Sequence, residues 1–309
     1  MHKADDGSPL ESADPLDDVV TRFQRTVSTH PTRAALRDSS NAFTYAGLDQ
    51  QVKAIAARLR EEGVAPGAHV AILLDQGAAA VACMLGVLHA GGICVALDQA
   101  DPADRLAALL EASGCAAILT DAPLAARAGQ SAQTGTAVLV HAWSDGAQPA
   151  AHSAASRDPL RPAYIIFTSG TSGKPKGVVQ SHAGVLAHSD TYTSGLQITA
   201  ADRLCMLAAY SFDAAIMDIF GALLNGACLF VWNIRREGLS GGIARIAGEG
   251  ITIFHSTPTV FRHVFGGTDE APAHLRLVIL GGERTTSGDV ALFQRNCPAD
   301  ATLVNGLGP

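Results

Sequence analysis

The 309-residue sequence is short of aromatic side chains, at 5%, and short of charge, at 17%. It has no block of clustered lysine and arginine, and its formal charge is −7 with a pI near 5.8. A nucleic-acid surface needs such a block to neutralise phosphates, so that class is excluded and any anion has to be bound locally. There is also no C-x-x-C pair: Cys83, Cys94, Cys115, Cys205, Cys228 and Cys297 stand far apart, mostly inside apolar runs. That spacing argues against a zinc site or a disulfide frame, and for buried free thiols in a reducing, cytoplasmic compartment. The start, "MHKADDGSPLESADPLDD", lacks a basic segment followed by an apolar core, so it does not read as a secretion signal. Residues 1–15 read as a flexible lead-in.

Long apolar runs are scarce, with one exception. From Gly77 to Leu97 the one clearly polar residue is His89, and about 20 such residues suffice to span a bilayer. Gly91-Gly92 divides the stretch into "AAAVACMLGVLHA" and "ICVAL", which suit a buried helix capped by glycine and then a buried parallel strand. A membrane span is therefore not expected.

What is present is a hydrophobic content of 48% in a chain longer than the usual single domain, which leaves one large domain or two lobes open. "AGLDQQVKAIAARLREEG" puts Leu48, Val52, Ile55 and Leu59 on one helical face and ends at Gly63. The strand "HVAILL" follows, then the helix and strand just described. Next come a helix from "DPADRLAALLEASG", with Asp101 as N-cap and Pro102 at N1, and the strand "CAAIL". Strands alternating with helices imply a parallel sheet covered on both faces. Residues 144–161 are rich in small residues and proline and read as a surface loop. Beyond them, "RLCML", "CLFVW", "ITIF" and "LRLVIL" read as strands, and "DAAIMDIFGALLNG" and "GDVALFQRN" as helices. No internal repeat is visible.

The chemistry-bearing feature is "TSGTSGKPKG", directly behind the apolar "AYIIF". Gly170, Gly173 and Gly177 let successive N–H groups turn into one concavity, and Thr168, Ser169, Thr171 and Ser172 add hydroxyl donors. Lys174 and Lys176 add positive charge, so a polyphosphate is the natural guest. The same composition also makes ordinary solvent-exposed turns. No G-K-[ST] and no G-x-G-x-x-G occurs, which disfavours P-loop and dinucleotide folds; H-E-x-x-H and G-x-S-x-G are absent too.

"YIIFTSGTSGKPKGVVQSH" resembles the phosphate-binding signature of the adenylate-forming enzymes, the superfamily of acyl-CoA ligases, luciferases and adenylation domains of nonribosomal peptide synthetases. Further similarities follow in that family's order: "FTYAGLDQQVKAIAARL", "GVLHAGGICVALD", "YSFDAAIMDIFGALLNGACL", "LGGE" and "NGLGP". The resemblance implies a layered αβαβα large N-terminal domain with mostly parallel sheets. It further implies a partial core over 16–309, with a first lobe over 58–195 and a second over 16–57 plus 196–309.

The implied reaction is attack of a carboxylate on the α-phosphate of ATP, with Mg²⁺ as cofactor, giving an acyl adenylate and pyrophosphate. Such chemistry needs fixed donors and metal charge more than a strong base. Thr168, Ser169, Gly170, Thr171, Ser172, Gly173, Lys176 and Gly177 would cradle the β- and γ-phosphates, with Lys176 the principal cation. Gly281, Gly282, Glu283, Asn305, Gly306 and Leu307 would border the adenine. Leu307 stands where the family usually has an aromatic, so ring stacking is lost there. The substrate pocket would be Asp213, Ala214, Met217, His255, Ile279, Gly281 and Gly306, with Asp213 pairing an α-ammonium group. Read locally, Asp213 is equally a helix N-cap, and His255 a filler packed between elements. His182 reads as structural.

The implied partners are an amino acid and the phosphopantetheine thiol of a peptidyl carrier protein, with no nucleic acid and no membrane. The family's Thr-Glu pair, whose glutamate binds Mg²⁺, its hinge and its small C-terminal domain with the catalytic lysine would follow Pro309. No metal ligand is assigned, the catalytic set is incomplete, and the chain alone is expected to be inactive with some apolar surface exposed. An aryl or fatty acyl ligase, or a non-catalytic nucleotide-binding remnant, fits the same motifs.

Overall fold

The structure is a computed structural model, and it describes residues 17–143, 158–168, 175–267 and 271–306. Among the described residues two sheets form. The larger has seven strands in the order β13 (Thr302–Gly306), β12 (Leu277–Gly281), β11 (Ile253–Ser256), β9 (Arg203–Met206), β10 (Cys228–Val231), β1 (Ala34–Arg37) and β2 (Ala42–Thr44). The smaller has six: β6 (Ala137–Val140), β5 (Ala117–Thr120), β3 (His69–Leu73), β4 (Ile93–Ala96), β7 (Pro162–Thr168) and β8 (Lys176–Ser181). Every pairing is parallel except β1 with β2 and the hairpin of β7 with β8.

The two-residue period of the strands sorts their side chains into separate cores. Val70 and Ile72 of β3, and Leu204 and Met206 of β9, enter one central cluster. Ala71 and Leu73 face the opposite way, toward α4 (Ala103–Ser113) and α5 (Ala125–Ser131). Cys205, Phe254 and Val278 of the larger sheet likewise face outward, toward α9 (Gly242–Glu249), α10 (Pro258–Phe265) and α11 (Ser287–Asn296). Between the sheets lie α1 (Val19–Thr29), α2 (Tyr45–Glu61), α3 (Ala78–Ala90), α6 (His182–Leu196) and α7 (Asp213–Leu223); α8 (Ile234–Glu237) is a single turn after β10. The result is the layered αβαβα architecture, and its strands read as continuous apolar runs because both faces are covered.

Burial explains the long apolar stretch. Every residue of α3 except Ala79 is buried, as befits a helix surrounded by protein on all sides. Among the described residues no helix is long and apolar enough to cross a membrane. All six cysteines are buried and free. One local expectation shifts by a residue: α4 begins at Ala103, with Pro102 extended at the cap position (φ −56°, ψ 152°). Asp101 makes no cap and instead pairs with Arg105 at 2.9 Å. At the edge of the smaller sheet, Val178 and Val179 of β8 are exposed.

The tightest helix contact in the central layer is that of α2 with α3 at Gly86. A Cβ placed there would stand 2.5 Å from Ile55 Cγ2 and 3.4 Å from the Val52 carbonyl oxygen. Gly86→Ala should therefore destabilise the fold by about 1–3 kcal/mol, because a packed core cannot absorb the added methyl. Urea unfolding checks this, and in a double-mutant cycle Gly86→Ala should be less costly on an Ile55→Ala background than alone.

Candidate functional site

The carboxyl ends of parallel strands are where an open α/β sheet leaves a crevice. The hairpin of β7 and β8 presents Thr168 opposite Lys176 and Phe167 opposite Gly177, so both ends of the intervening loop are held side by side. Thr168, Lys176 and Gly177 are exposed there. Ser169, Gly170, Thr171, Ser172 and Gly173 lie outside the described residues, as does Leu307.

The expected pocket residues converge on the inner face of the larger sheet. Register places His255 beside Ile279 and Gly281 beside Gly306 at the ends of β11, β12 and β13. Above them runs α7, whose first turns carry Asp213, Ala214 and Met217. A Cβ on Gly281 would stand 3.2 Å from the Gly306 carbonyl oxygen and 3.9 Å from His255 Nε2, so these backbones and the imidazole edge lie close together.

Asp213 is not the N-cap. Phe212 holds that position, and Asp213 is the first helical residue, exposed, accepting a 2.8 Å hydrogen bond from the Ala214 N–H. A carboxylate at a helix N-terminus is favoured by the helix dipole. Asp213 has no ion-pair partner among the described residues, yet its charge is felt on both sides of the crevice. Burial first and then that charge push the Tyr164 phenol of β7 up to about 12. The same charge acts on His255.

His255 is not a loose filler. Its side chain is 10% exposed, and its Nδ1 lies 2.9 Å from Asp218 Oδ1. Asp218, one and a half turns beyond Asp213 on α7, is buried and also accepts a 3.0 Å hydrogen bond from the Tyr192 hydroxyl of α6. Burial alone would lower the His255 pKa, but the charge of Asp218, its hydrogen bond and the charge of Asp213 reverse the sign and raise it. Burial and the adjacent Asp218 push the Tyr192 phenol well above its ordinary value.

On the expected adenine side, Gly282 adopts φ +76°, turning the chain out of β12. Glu283 Oε2 accepts from the Thr259 N–H at 3.1 Å and from its hydroxyl at 2.5 Å, and the latter bond leads in holding the carboxyl below its usual range. Asn305 Oδ1 accepts from the Thr285 hydroxyl at 2.8 Å. Gly281, Gly282, Glu283, Asn305 and Gly306 thus form one rim on adjacent strand ends. His182 sits elsewhere, fully buried at the start of α6, where its Nδ1 accepts from the Val19 N–H at 3.4 Å.

Asp218 has no role assigned from the sequence, although it lies in the motif stretch "YSFDAAIMDIFGALLNGACL", and neither has Tyr192, which lies in none. The available signal was a lone carboxylate within the otherwise apolar "AAIMDIFGALL", because a charge buried on such a helix requires a partner.

Known proteins resemble the chain along nearly all of its length. Surfactin synthase subunit 3 of Bacillus subtilis is 30% identical over 93% of this chain and 22% of its own length. Nonribosomal peptide synthetase 8 of Aspergillus fumigatus is 34% identical over 90% of this chain and 3% of its own. The chain thus spans about a fifth, or far less, of these relatives. A solved structure of the nonribosomal peptide synthetase FmoA3 superposes with a TM-score of 0.86 at 31% identity, over 97% of this chain and 32% of that one. FmoA3 is also known with AMPPNP bound and with α-methyl-L-serine-AMP bound. The Klebsiella oxytoca NpsA N-terminal subdomain shares the fold, with a TM-score of 0.82 at 24% identity over 96% of this chain and 75% of that one. The model of the AMP-binding enzyme family matches residues 23–309, and the chain accordingly belongs to that family of adenylate-forming ligases.

Proposed function

We propose that the chain forms the nucleotide- and substrate-binding part of an amino-acid adenylation enzyme. One carboxylate oxygen of the amino acid attacks the α-phosphorus of ATP, the bond to the bridging oxygen breaks, and aminoacyl-AMP and pyrophosphate result. The aminoacyl group would then pass to the phosphopantetheine thiol of a carrier protein, in keeping with the synthetases the chain resembles. ATP is supported as the nucleotide by the AMPPNP-bound form of FmoA3.

The observation that carries this reading is Asp213: an exposed carboxylate at the head of α7, with no ion-pair partner among the described residues, whose charge reaches His255 next to Gly281. An α-ammonium group supplies the missing charge, and a charge-assisted hydrogen bond to it fixes the orientation of the adjoining carboxylate. The loop from Thr168 to Gly177 would hold the β- and γ-phosphates, with Lys176 compensating charge that builds on departing pyrophosphate. Gly281, Gly282, Glu283, Asn305, Gly306 and Leu307 would receive the adenine. Mg²⁺ is the expected companion of ATP, but among the described residues no three His, Cys, Asp or Glu side chains converge to hold a metal.

Exchange of labelled pyrophosphate into ATP by the intact protein carrying this sequence, across a panel of amino and other carboxylic acids, tests the reading. Stimulation by at least one amino acid is expected; stimulation by none overturns it. Asp213→Ala should lower kcat/KM for that amino acid by roughly 30-fold or more, the effect of removing one partner of a hydrogen-bonded charge pair. If activity toward an aryl or fatty acid survives this change intact, the enzyme is an acyl ligase instead.

Lys176→Ala should raise the KM for ATP by roughly 10- to 100-fold, the weight of a hydrogen bond to a charged group, without altering which amino acid is preferred. A changed amino-acid preference would place Lys176 at the wrong subsite.

A further inference from the structure

His255 has one ring nitrogen committed and one free. An ionised carboxylate only accepts, so the 2.9 Å contact with Asp218 puts a proton on Nδ1. Nε2 makes no hydrogen bond among the described residues and lies toward Gly281, 3.9 Å from where a Cβ on that glycine would stand. Of the other expected lining side chains, Ala214, Met217 and Ile279 are apolar, and Asp213 is taken by the α-ammonium group on the proposed reading. Asp218 is itself held: Tyr192 donates to it at 3.0 Å, and the tyrosine ring lies so close to Gly221 that a Cβ there would stand 2.8 Å from its Cδ1.

We propose that Asp218 and Tyr192 position His255 as the recognition group for the substrate side chain, so that the pocket selects an amino acid whose side-chain oxygen hydrogen-bonds to Nε2. The inference rests on the adenylation reading and adds the substrate class to it. An apolar side chain would strip water from Nε2 and give nothing back, which is how a polar site rejects an analogue lacking the polar group.

The charge balance agrees. Asp218 has a side chain 1% exposed, and its Oδ2 is buried without a hydrogen bond, so the cationic form of His255 is the neutralising partner at hand. The groups facing the imidazole are Asp213 and Asp218 of α7; Tyr192 of α6 reaches it through Asp218, and its strand neighbours Met206 and Ile279 carry no charge. As a cation His255 donates from Nε2; as the neutral form it accepts there. A hydroxyl or an amide satisfies either form, a carboxylate only the cation.

Pyrophosphate exchange by the intact protein should be measured on near-isosteric pairs: serine with alanine, threonine with valine, and asparagine or aspartate with leucine. The best substrate should carry the oxygen and exceed its apolar partner by about tenfold or more in kcat/KM. His255→Leu should bring that ratio close to one, and Tyr192→Phe, which removes only a hydroxyl, should reduce it. Asp218→Asn preserves shape but removes charge, so the NMR titration of His255 should move to lower pH. If the substrate is aspartate, its kcat/KM should fall as pH rises through the His255 pKa, and at lower pH in Asp218→Asn; with a hydroxyl or amide substrate no such fall is expected. An apolar best substrate, a ratio unmoved by His255→Leu, or a His255 titration unmoved by Asp218→Asn overturns the inference. Exchange with no amino acid at all defeats the adenylation reading first, whereas exchange with apolar amino acids alone defeats only this one.

Discussion

Most of the central helical layer is closed off from water: α3 is buried at every residue but Ala79, while α1, α2 and α6 expose only part of their surface, and much of the architecture follows from that constraint. A helix enclosed on every side is apolar all round, as α3 is, and a polar group buried in this layer must find its partner inside the protein. Those partnerships tie the two sheets together. The Tyr210 hydroxyl, past the end of β9, accepts from the Leu74 N–H at 3.1 Å and lies 2.8 Å from the Leu97 carbonyl oxygen, both just beyond strands of the other sheet. Gln76 reaches back to the Leu207 and Ala208 carbonyls at 3.1 Å each. These clasps sit at the carboxyl ends of the strands, so the crevice opens where the distance between the sheets is most firmly set.

Much of this was legible in the sequence, for a physical reason. A strand buried on both faces has to be a short apolar run, and α2 needs a stripe at helical spacing; "HVAILL" and Leu48, Val52, Ile55 and Leu59 show each pattern. Elements without that pressure escaped. β8, "KGVVQS", is exposed along nearly its whole length, and β13, "TLVNG", lies at a sheet edge with only Leu303 and Val304 half-buried, so neither needed an apolar pattern. Asp101 was displaced from its expected cap because Pro102, with its fixed φ, is extended at that position.

At the candidate site the legible residues are those a motif names by spacing along the chain. Asp218 and Tyr192 are of another kind, since they act through a third side chain. Their link depends on α6, α7 and β11 meeting in space: Tyr192 lies 26 residues before Asp218, and His255 lies 37 after it. Periodicity carries no trace of such a meeting. Its one sequence mark is negative, a carboxylate where the helix pattern demands an apolar residue.

Asp213 and Asp218 show how one helix assigns opposite fates to two like side chains. Five residues at 3.6 per turn put them well round the helix from each other, one at the open end and one within the dry layer. A carboxyl buried there needs a partner, and His255 supplies it, its own pKa raised despite burial by the charge and hydrogen bond of Asp218 and the charge of Asp213. The charge of Asp213 is left over, favoured by the N-terminus of α7 and offset by no cation among the described residues. On the proposed reading, the surplus negative charge at the head of α7 and the imidazole edge of His255 together suit a small cation that carries polar atoms at its far end. The same chain that must bury a carboxylate to build its central layer thereby sets the charge of the space beside it.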